Sequence, residues 1–499
     1  MPSRLSGILR QRPAGKSTVS EDESQLSVSP HSRWERKTTE LIVAGNAAAM
    51  HNGRSVVPET LCRMSDPNAL ALISVHRNET LLFFTLLQLA VIVIAGRLGA
   101  ALASRCRQAP VVGAIIAGVL LGPSLFGWVA PDAFDFVFHS TPPEPLQILS
   151  GLGLVLVMFQ IGLEFDFSHL TQAANRHAVL YLAAAALIAP FAIGLAFGFL
   201  SASVLSPDAN RLQSALFIAT AFSITALPVL GRILIELDLT RTRLGVIAIS
   251  AAAITDVIGW VMLALVTALT AATFDSGRFG LRVVLVAGFV LTCVYGLRPL
   301  LRRAVRRSDP RDGVMSGNLL GGLMVLAFVA AMVMYKLGVF AIFGAFMMGV
   351  ILFDEHELVR AWRERMGDFV TVFFLPLFFT YTGLRTSIGM LNTFEAWGWC
   401  AGVVALATLA KLGSAYAAAR YSRLNHAEAM ILGYLMNTRG LMELIVVNVG
   451  YDLGVISQQM FTILVIMAVA STVITTPALR HYLPRAGLAA PGRSARLST

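Results

Sequence analysis

Charge is what this chain most lacks. Asp, Glu, Lys and Arg make up only 14% of its 499 residues, against about 25% in an average soluble domain. That excludes an ordinary water-exposed globular surface. Lysine is scarcer still, with four residues against thirty-five arginines. The four cysteines, Cys62, Cys106, Cys293 and Cys400, form no C-x-x-C pair and show no metal-ligand spacing. They read as isolated thiols, which excludes a disulfide framework and a structural zinc site. Residues 1–76 are polar, rich in Ser and Arg, and lack the apolar core of a signal peptide. They are expected to form a disordered tail, and Met64 is an alternative start.

What is abundant is apolar sequence, 56% of residues with a mean hydropathy of +0.70. A net charge of +10 suggests nucleic acid in a soluble chain. Here basic cytoplasmic loops explain it better, and no nucleic-acid partner is expected. Thirteen hydrophobic segments follow the tail: 80–104, 110–130, 146–163, 177–200, 211–235, 242–272, 279–301, 317–336, 338–353, 368–386, 396–420, 428–449 and 457–480. Most are long enough to cross a hydrocarbon core of ~30 Å. The fold class is therefore an all-α polytopic membrane protein of about thirteen transmembrane helices. The transmembrane domain is expected over 77–483, with a short cytoplasmic tail at 484–499. If the first segment starts outside, sixteen loop arginines fall inside, among them Arg302, Arg303, Arg306 and Arg307. Only Arg211, Arg278, Arg282, Lys336 and Arg385 fall outside. This bias gives an N-out, C-in orientation, although the tail through Arg77 carries ten basic residues of its own.

Two segments break their own helices. The fifth, "ALFIATAFSITALPVLGRIL", has Ser223, Thr225 and Pro228 in mid-span. Proline removes a backbone donor and clashes with the preceding turn. The twelfth, "AMILGYLMNTRGLMELIVVNVG", holds Asn437, Thr438, Arg439 and Glu443. Charges at that depth cost roughly 2.5–3.5 kcal/mol each and need partners; Arg439 and Glu443, at i and i+4, can pair on one face. With the seventh segment set aside, segments one to six match eight to thirteen, and the broken pair fall at equivalent places. The intervening segment inverts the second copy, so the pattern is an inverted repeat whose broken helices point to a midplane site.

Asp256 sits near the middle of the sixth segment with no basic residue at i±3 or i±4. A buried structural carboxylate is the bland reading. Intramembrane acids default to function, however, and a carboxylate binds Na⁺ or K⁺ when ionised and excludes it when protonated. Thr255 and the oxygens of the broken helices offer further ligands. Alternation between a monovalent cation and H⁺ at one carboxylate is antiport. Lys411 is the other odd charge, in mid-span where arginine is this chain's habit. An ammonium can give up its proton where a guanidinium does not.

"AFSITALPVLGRILIELDLTRTRLGVIAISAAAITDVIGW", "FFLPLFFTYTGLRTSI", "MNTRGLMELIVVNVGYDLGVIS", "GLGLVLVMFQIGLEFD" and "VVGAIIAGVLLGPSLFG" resemble the second monovalent cation:proton antiporter family. The similarity is greatest to bacterial Kef-like membrane domains and plant cation/H⁺ exchangers. The resemblance implies a thirteen-helix inverted-repeat fold with a panel domain, a mobile core and two crossed discontinuous helices. It implies that Asp256 carries both ion and proton, that Lys411 is the core lysine, and that Asn437, Thr438 and Arg439 lie at the crossing. It further implies a homodimer in the bilayer, of a bacterial inner membrane, with no cofactor.

The chain departs from the family in places. Electrogenic members carry Asp-Asp, and many plant exchangers Asn-Asp, where this chain has Thr255-Asp256. That argues against a two-proton stoichiometry. Lys336 stands where a polar or acidic residue is expected. The chain ends about twenty residues after the last segment and has no G-x-G-x-x-G unit, so no built-in nucleotide-binding regulatory domain is expected. Intramembrane proteolysis is not expected either, because only one aspartate is central, "GYD" at 450–452 falls in an outer loop, and no Ser–His pair lies at depth. A channel, or a sensor on a transporter fold, is the alternative reading.

Overall fold

A computed structural model describes residues 67–164, 176–240, 242–271, 276–307 and 315–488. Among these residues the regular structure is entirely helical. Residues 1–66 and 489–499, most of the two expected tails, lie outside the described residues. Helix α1, Pro67–Arg105, starts ten residues ahead of the expected boundary. Pro67 suits a first helical position and is followed by the strong helix formers Ala and Leu. Its apolar, span-forming part begins at Asn78.

The remaining helices of seven or more residues are α2 (Pro110–Leu120), α3 (Glu144–Glu164), α4 (Arg176–Leu205), α5 (Arg211–Ser223), α6 (Leu227–Glu236), α7 (Arg243–Ala271), α8 (Ser276–Leu291), α9 (Arg298–Arg307), α10 (Gly317–Lys336), α11 (Ile342–Val350), α12 (His356–Trp362), α13 (Leu375–Leu384), α14 (Phe394–Tyr421), α15 (His426–Met436), α16 (Leu441–Asp452) and α17 (Gln458–Tyr482). Among the described residues nine helices are long and apolar enough to cross a membrane, or up to eleven with two bent pairs. The exact number of thirteen expected from the sequence is thus not confirmed among the described residues. Segments 110–130 and 338–353 form helices of only 11 and 9 residues, about 17 and 14 Å long at ~1.5 Å per residue.

Bending also departs from expectation. The sharpest bend, 50°, joins His356–Gly367 to Val370–Met390 in the tenth segment, which carries no strong polar signal. The twelfth bends by 40°. The fifth is interrupted at residues 224–226 without a comparable bend. Pro228 is the second residue of α6, where its missing N–H is no loss. It starts a half-helix rather than kinking a whole one.

The spans pack as two sets. Helices α4, α5/α6, α7, α14, α15/α16 and α17 pack on one another. In the other set α2 packs on α13, α3 on α11 and α13, and α10 on α11. In segment numbers, the second packs on the tenth and the ninth on the third, which is what an inverted six-segment repeat requires. Both contacts depend on glycine. A Cβ on Gly118 of α2 would sit 2.6 Å from the Phe379 carbonyl carbon, and one on Gly349 of α11 would sit 2.6 Å from the Leu163 nitrogen. Small residues let membrane helices approach this closely. The broken spans share their entry as well. Asn210 caps α5 by accepting from Leu212 N at 3.0 Å, and Asn425 caps α15 by accepting from Glu428 N at 2.9 Å.

Candidate functional site

The two interruptions meet. Residues 224–226 and 437–440 are not helical, with Ile224 and Ala226 extended, so their backbone groups need partners at membrane depth. They find them in each other. Ala226 N donates to Thr438 O at 3.0 Å, and Thr225 Oγ1 donates to Met436 O at 3.2 Å. In return Arg439 reaches across, Nη1 donating to Ala221 O at 2.7 Å and Nη2 to Phe222 O at 3.1 Å. Thr438 Oγ1 donates back to Leu435 O at 2.8 Å, and Ser223 Oγ to Thr220 O at 2.9 Å. Gly440 has φ +150°, and a Cβ there would lie 2.9 Å from Val229 Cγ2. Only glycine takes this conformation without strain.

Each half-helix end is met by a complementary group. The last carbonyls of α5, where the helix dipole is negative, face two cations: the Arg439 guanidinium just described and Lys411, whose Nζ donates to Ser223 O. The positive start of α6 faces Asp256, whose Oδ2 accepts from Leu227 N at 3.4 Å. The start of α16 carries Glu443 in its first turn, paired with Arg439 at 3.0 Å. Lys411 and Arg439 are fully buried, and Asp256 and Glu443 nearly so. Four formal charges are thus held in the interior, two of each sign.

Four polar side chains at the crossing keep unpaired atoms, Arg439 Nε being one. Asp256 Oδ1, Glu443 Oε2 and both ends of the Asn437 amide make no hydrogen bond among the described residues. Buried polar atoms are usually satisfied, so unmet groups at this depth single out the crossing as a candidate site. Thr255 is fully buried beside Asp256, and its Oγ1 donates to Ala252 O at 2.9 Å. No ion pair joins Asp256 to Lys411, whose second bond runs to Ala186 O at 2.8 Å.

The structure therefore brings Ser223, Thr225, Asn437, Thr438, Arg439 and Glu443 together at the crossing, with Asp256 at the start of α6 and Lys411 at the end of α5. Lys336 is exposed at the end of α10, which is also the end of the eighth segment. One other expectation changes. Asp452 is the last residue of α16 rather than part of a loop, and it pairs with Arg385 at 2.6 Å.

Sequence reasoning missed Thr472, Pro190 and Ala186. Thr472 Oγ1 accepts from Arg439 N at 3.1 Å and lies 2.7 Å from Arg439 O. Its signal was the hydroxyl run "STVITTP" in the last segment. Pro190 carried the same mid-segment signal as Pro228.

Residues 89–484 match the family model described as "Sodium/hydrogen exchanger, transmembrane". The chain is 36% identical over 405 residues to the Na⁺/H⁺ antiporter NhaS4 of Synechocystis sp., covering 81% of this chain and 98% of that one. It is 36% identical over 407 residues to cation/H⁺ antiporter 17 of Arabidopsis thaliana, covering 80% and 48%. It is 31% identical over 392 residues to K⁺/H⁺ antiporter 1 of Saccharomyces cerevisiae, covering 76% and 43%. The chain thus spans about half the length of the plant and yeast relatives. The solved sodium proton antiporter MjNhaP1 of Methanocaldococcus jannaschii shares the fold at a TM-score of 0.56 and 15% identity, over 79% of this chain and 95% of that one.

Proposed function

Because this integral membrane chain belongs to the sodium/hydrogen exchanger family, we propose that it exchanges a monovalent cation, Na⁺ or K⁺, for H⁺ by alternating access, with Asp256 as the shared carboxylate. One observation carries the reading. Asp256 is 2% exposed in mid-span, and one oxygen is held by the α6 backbone while the other has no hydrogen-bond partner. An acid so placed takes a proton or a cation, and not both. On this reading the Asn437 amide oxygen, unpaired among the described residues, and the Thr255 hydroxyl oxygen supply further oxygen ligands of the kind alkali cations use. A single acid carries one proton per cation, so the cycle moves no net charge.

The two helix sets supply the moving parts. One carries both crossed spans, Asp256 and Lys411, and shifts against the other to open the site to either side. The loop arginines favour an N-out, C-in orientation in a bacterial plasma membrane, and a homodimer is the working assembly. The test is proton flux in proteoliposomes offered Na⁺, K⁺ and Li⁺ in turn. Cation-dependent, saturable proton movement in both directions is expected. Passive conductance without exchange would indicate a channel instead.

A further inference from the structure

Pro190 stands inside the otherwise continuous helix α4. Its nitrogen bears no hydrogen, so the carbonyl four residues back, that of Ala186, loses its intrahelical donor. Ala186 is fully buried, and an unmet carbonyl is costly there. Lys411 Nζ makes the missing bond at 2.8 Å. Its other acceptor is the carbonyl of Ser223, which ends α5 and likewise has no continuing helix to serve it. Two separate interruptions of the backbone therefore converge on one ammonium.

The same chain contains a control. Pro477, inside α17, strips the Val473 carbonyl in the same way. There the neutral amide of Gln108 fills the place, Nε2 donating to Val473 O at 3.1 Å. An orphaned carbonyl in this fold does not call for a cation. Ala186 nevertheless receives one, from one of only two lysines in residues 67–488. Lys411 and Asp256 flank the same break, bonding Ser223 O and Leu227 N respectively, and the carboxylate has an uncommitted oxygen. The ammonium is bonded to two neutral carbonyls instead.

We propose that Pro190 is a positioning residue for ion exchange: by orphaning the Ala186 carbonyl it anchors Lys411 on the α4–α5 side and keeps the ammonium off Asp256, leaving the carboxylate open to the cation. This rests on the reading of Asp256 as the shared carboxylate. Restoring an N–H at position 190 returns the Ala186 carbonyl to its helix. Lys411 then loses one of its two acceptors and turns to Asp256, where it competes with the cation.

The test uses the full chain carrying Pro190→Ala or Pro190→Gly, each alone and with Lys411→Met. In proteoliposomes, Pro190→Ala is expected to raise the apparent KM for the exchanged cation several-fold with little change in maximal rate. In the Lys411→Met background it should change KM no further. Thermal unfolding supplies a readout that needs no transport. Lys411→Met should lower Tm more in the presence of Pro190 than in the Pro190→Ala background, because only the proline leaves a carbonyl for the lysine to serve. Additive Tm effects, or a KM that does not respond to Pro190→Ala, would overturn the proposal. A merely structural proline would show a changed Tm and an unaltered KM. Wild-type vesicles that exchange no cation would refute the Asp256 reading, while the thermal cycle would still decide whether Pro190 holds Lys411.

Discussion

Thr472 and Arg439 are joined through the backbone. The Arg439 N–H donates to Thr472 Oγ1 at 3.1 Å, as the Leu227 N–H donates to Asp256 Oδ2 at 3.4 Å. Each acceptor sits on the span that follows its broken helix, so the inverted repeat places a hydroxyl where its other half places an acid. One repeat keeps a titrating group at the break and the other a fixed one. Thr472→Val keeps the shape and removes the partner, leaving a buried N–H unmet at a cost of about 1–3 kcal/mol. A lower Tm is expected, with Thr472→Ser close to wild type. Equal Tm values for the Val and Ser variants would contradict it.

The Arg439–Glu443 pair ties the crossing together, since the same guanidinium bonds Glu443, Ala221 and Phe222. Removing one partner of a buried pair leaves a bare charge, a loss of about 3–5 kcal/mol. Glu443→Gln and Arg439→Gln should each cut the yield of folded protein sharply, and the double variant should recover part of it. Strictly additive losses in a thermal or protease-resistance assay would show that the two side chains do not act as a pair.

Arg385 follows α13 and Asp452 ends α16, so their 2.6 Å contact joins the two helix sets. Asn448 of α16 and Tyr381 of α13 bind the same guanidinium. If the sets move against each other during exchange, this latch must open. It is partly exposed, so it is worth about 0.2–1 kcal/mol, or at most roughly a fivefold change in rate. Arg385→Ala and Asp452→Asn should each alter the initial exchange rate by a similar factor, and combining them should add little. Independent, multiplying effects would mean that the contact does not span a moving boundary.

Much of this arrangement was legible from local chemistry. Asp256, Lys411, Arg439 and Glu443 stand out because an ionisable group in an apolar run has few bland explanations, and the structure buries all four. Pro228 and the "NTRG" stretch marked both interruptions because each breaks a helix by a known mechanism. What stayed hidden depended on a partner far along the chain. Nothing near Ala186 says that its carbonyl will be served by Lys411, 225 residues away. Thr472 is one hydroxyl among several until the break at Arg439 is laid against it. The 50° bend of the tenth segment was obscured because an amphipathic approach runs straight into an apolar span.

Lys411 bears on stoichiometry. It is bonded to two carbonyls and not to Asp256, so cation entry need not break a Lys–Asp pair or release a second proton. Lys411→Gln should lower Tm and leave exchange one-for-one. Initial rates measured under an imposed membrane potential should be insensitive to voltage in both proteins. A wild-type rate that follows the voltage, lost in Lys411→Gln, would show that the lysine carries a second proton.

The central claim is that Asp256 alternates between a proton and a cation. Such competition implies that apparent cation affinity falls as pH falls, because protons occupy the same oxygens. Asp256→Asn removes the titrating group and keeps a near-isosteric amide, without adding charge to the membrane interior. The decisive measurement compares wild type and Asp256→Asn in proteoliposomes, following cation-driven proton movement across a range of pH after both proteins are shown to be folded and inserted. The expected result is pH-dependent exchange in the wild type and none in the variant. A folded Asp256→Asn protein that exchanges at the wild-type rate would contradict the mechanism.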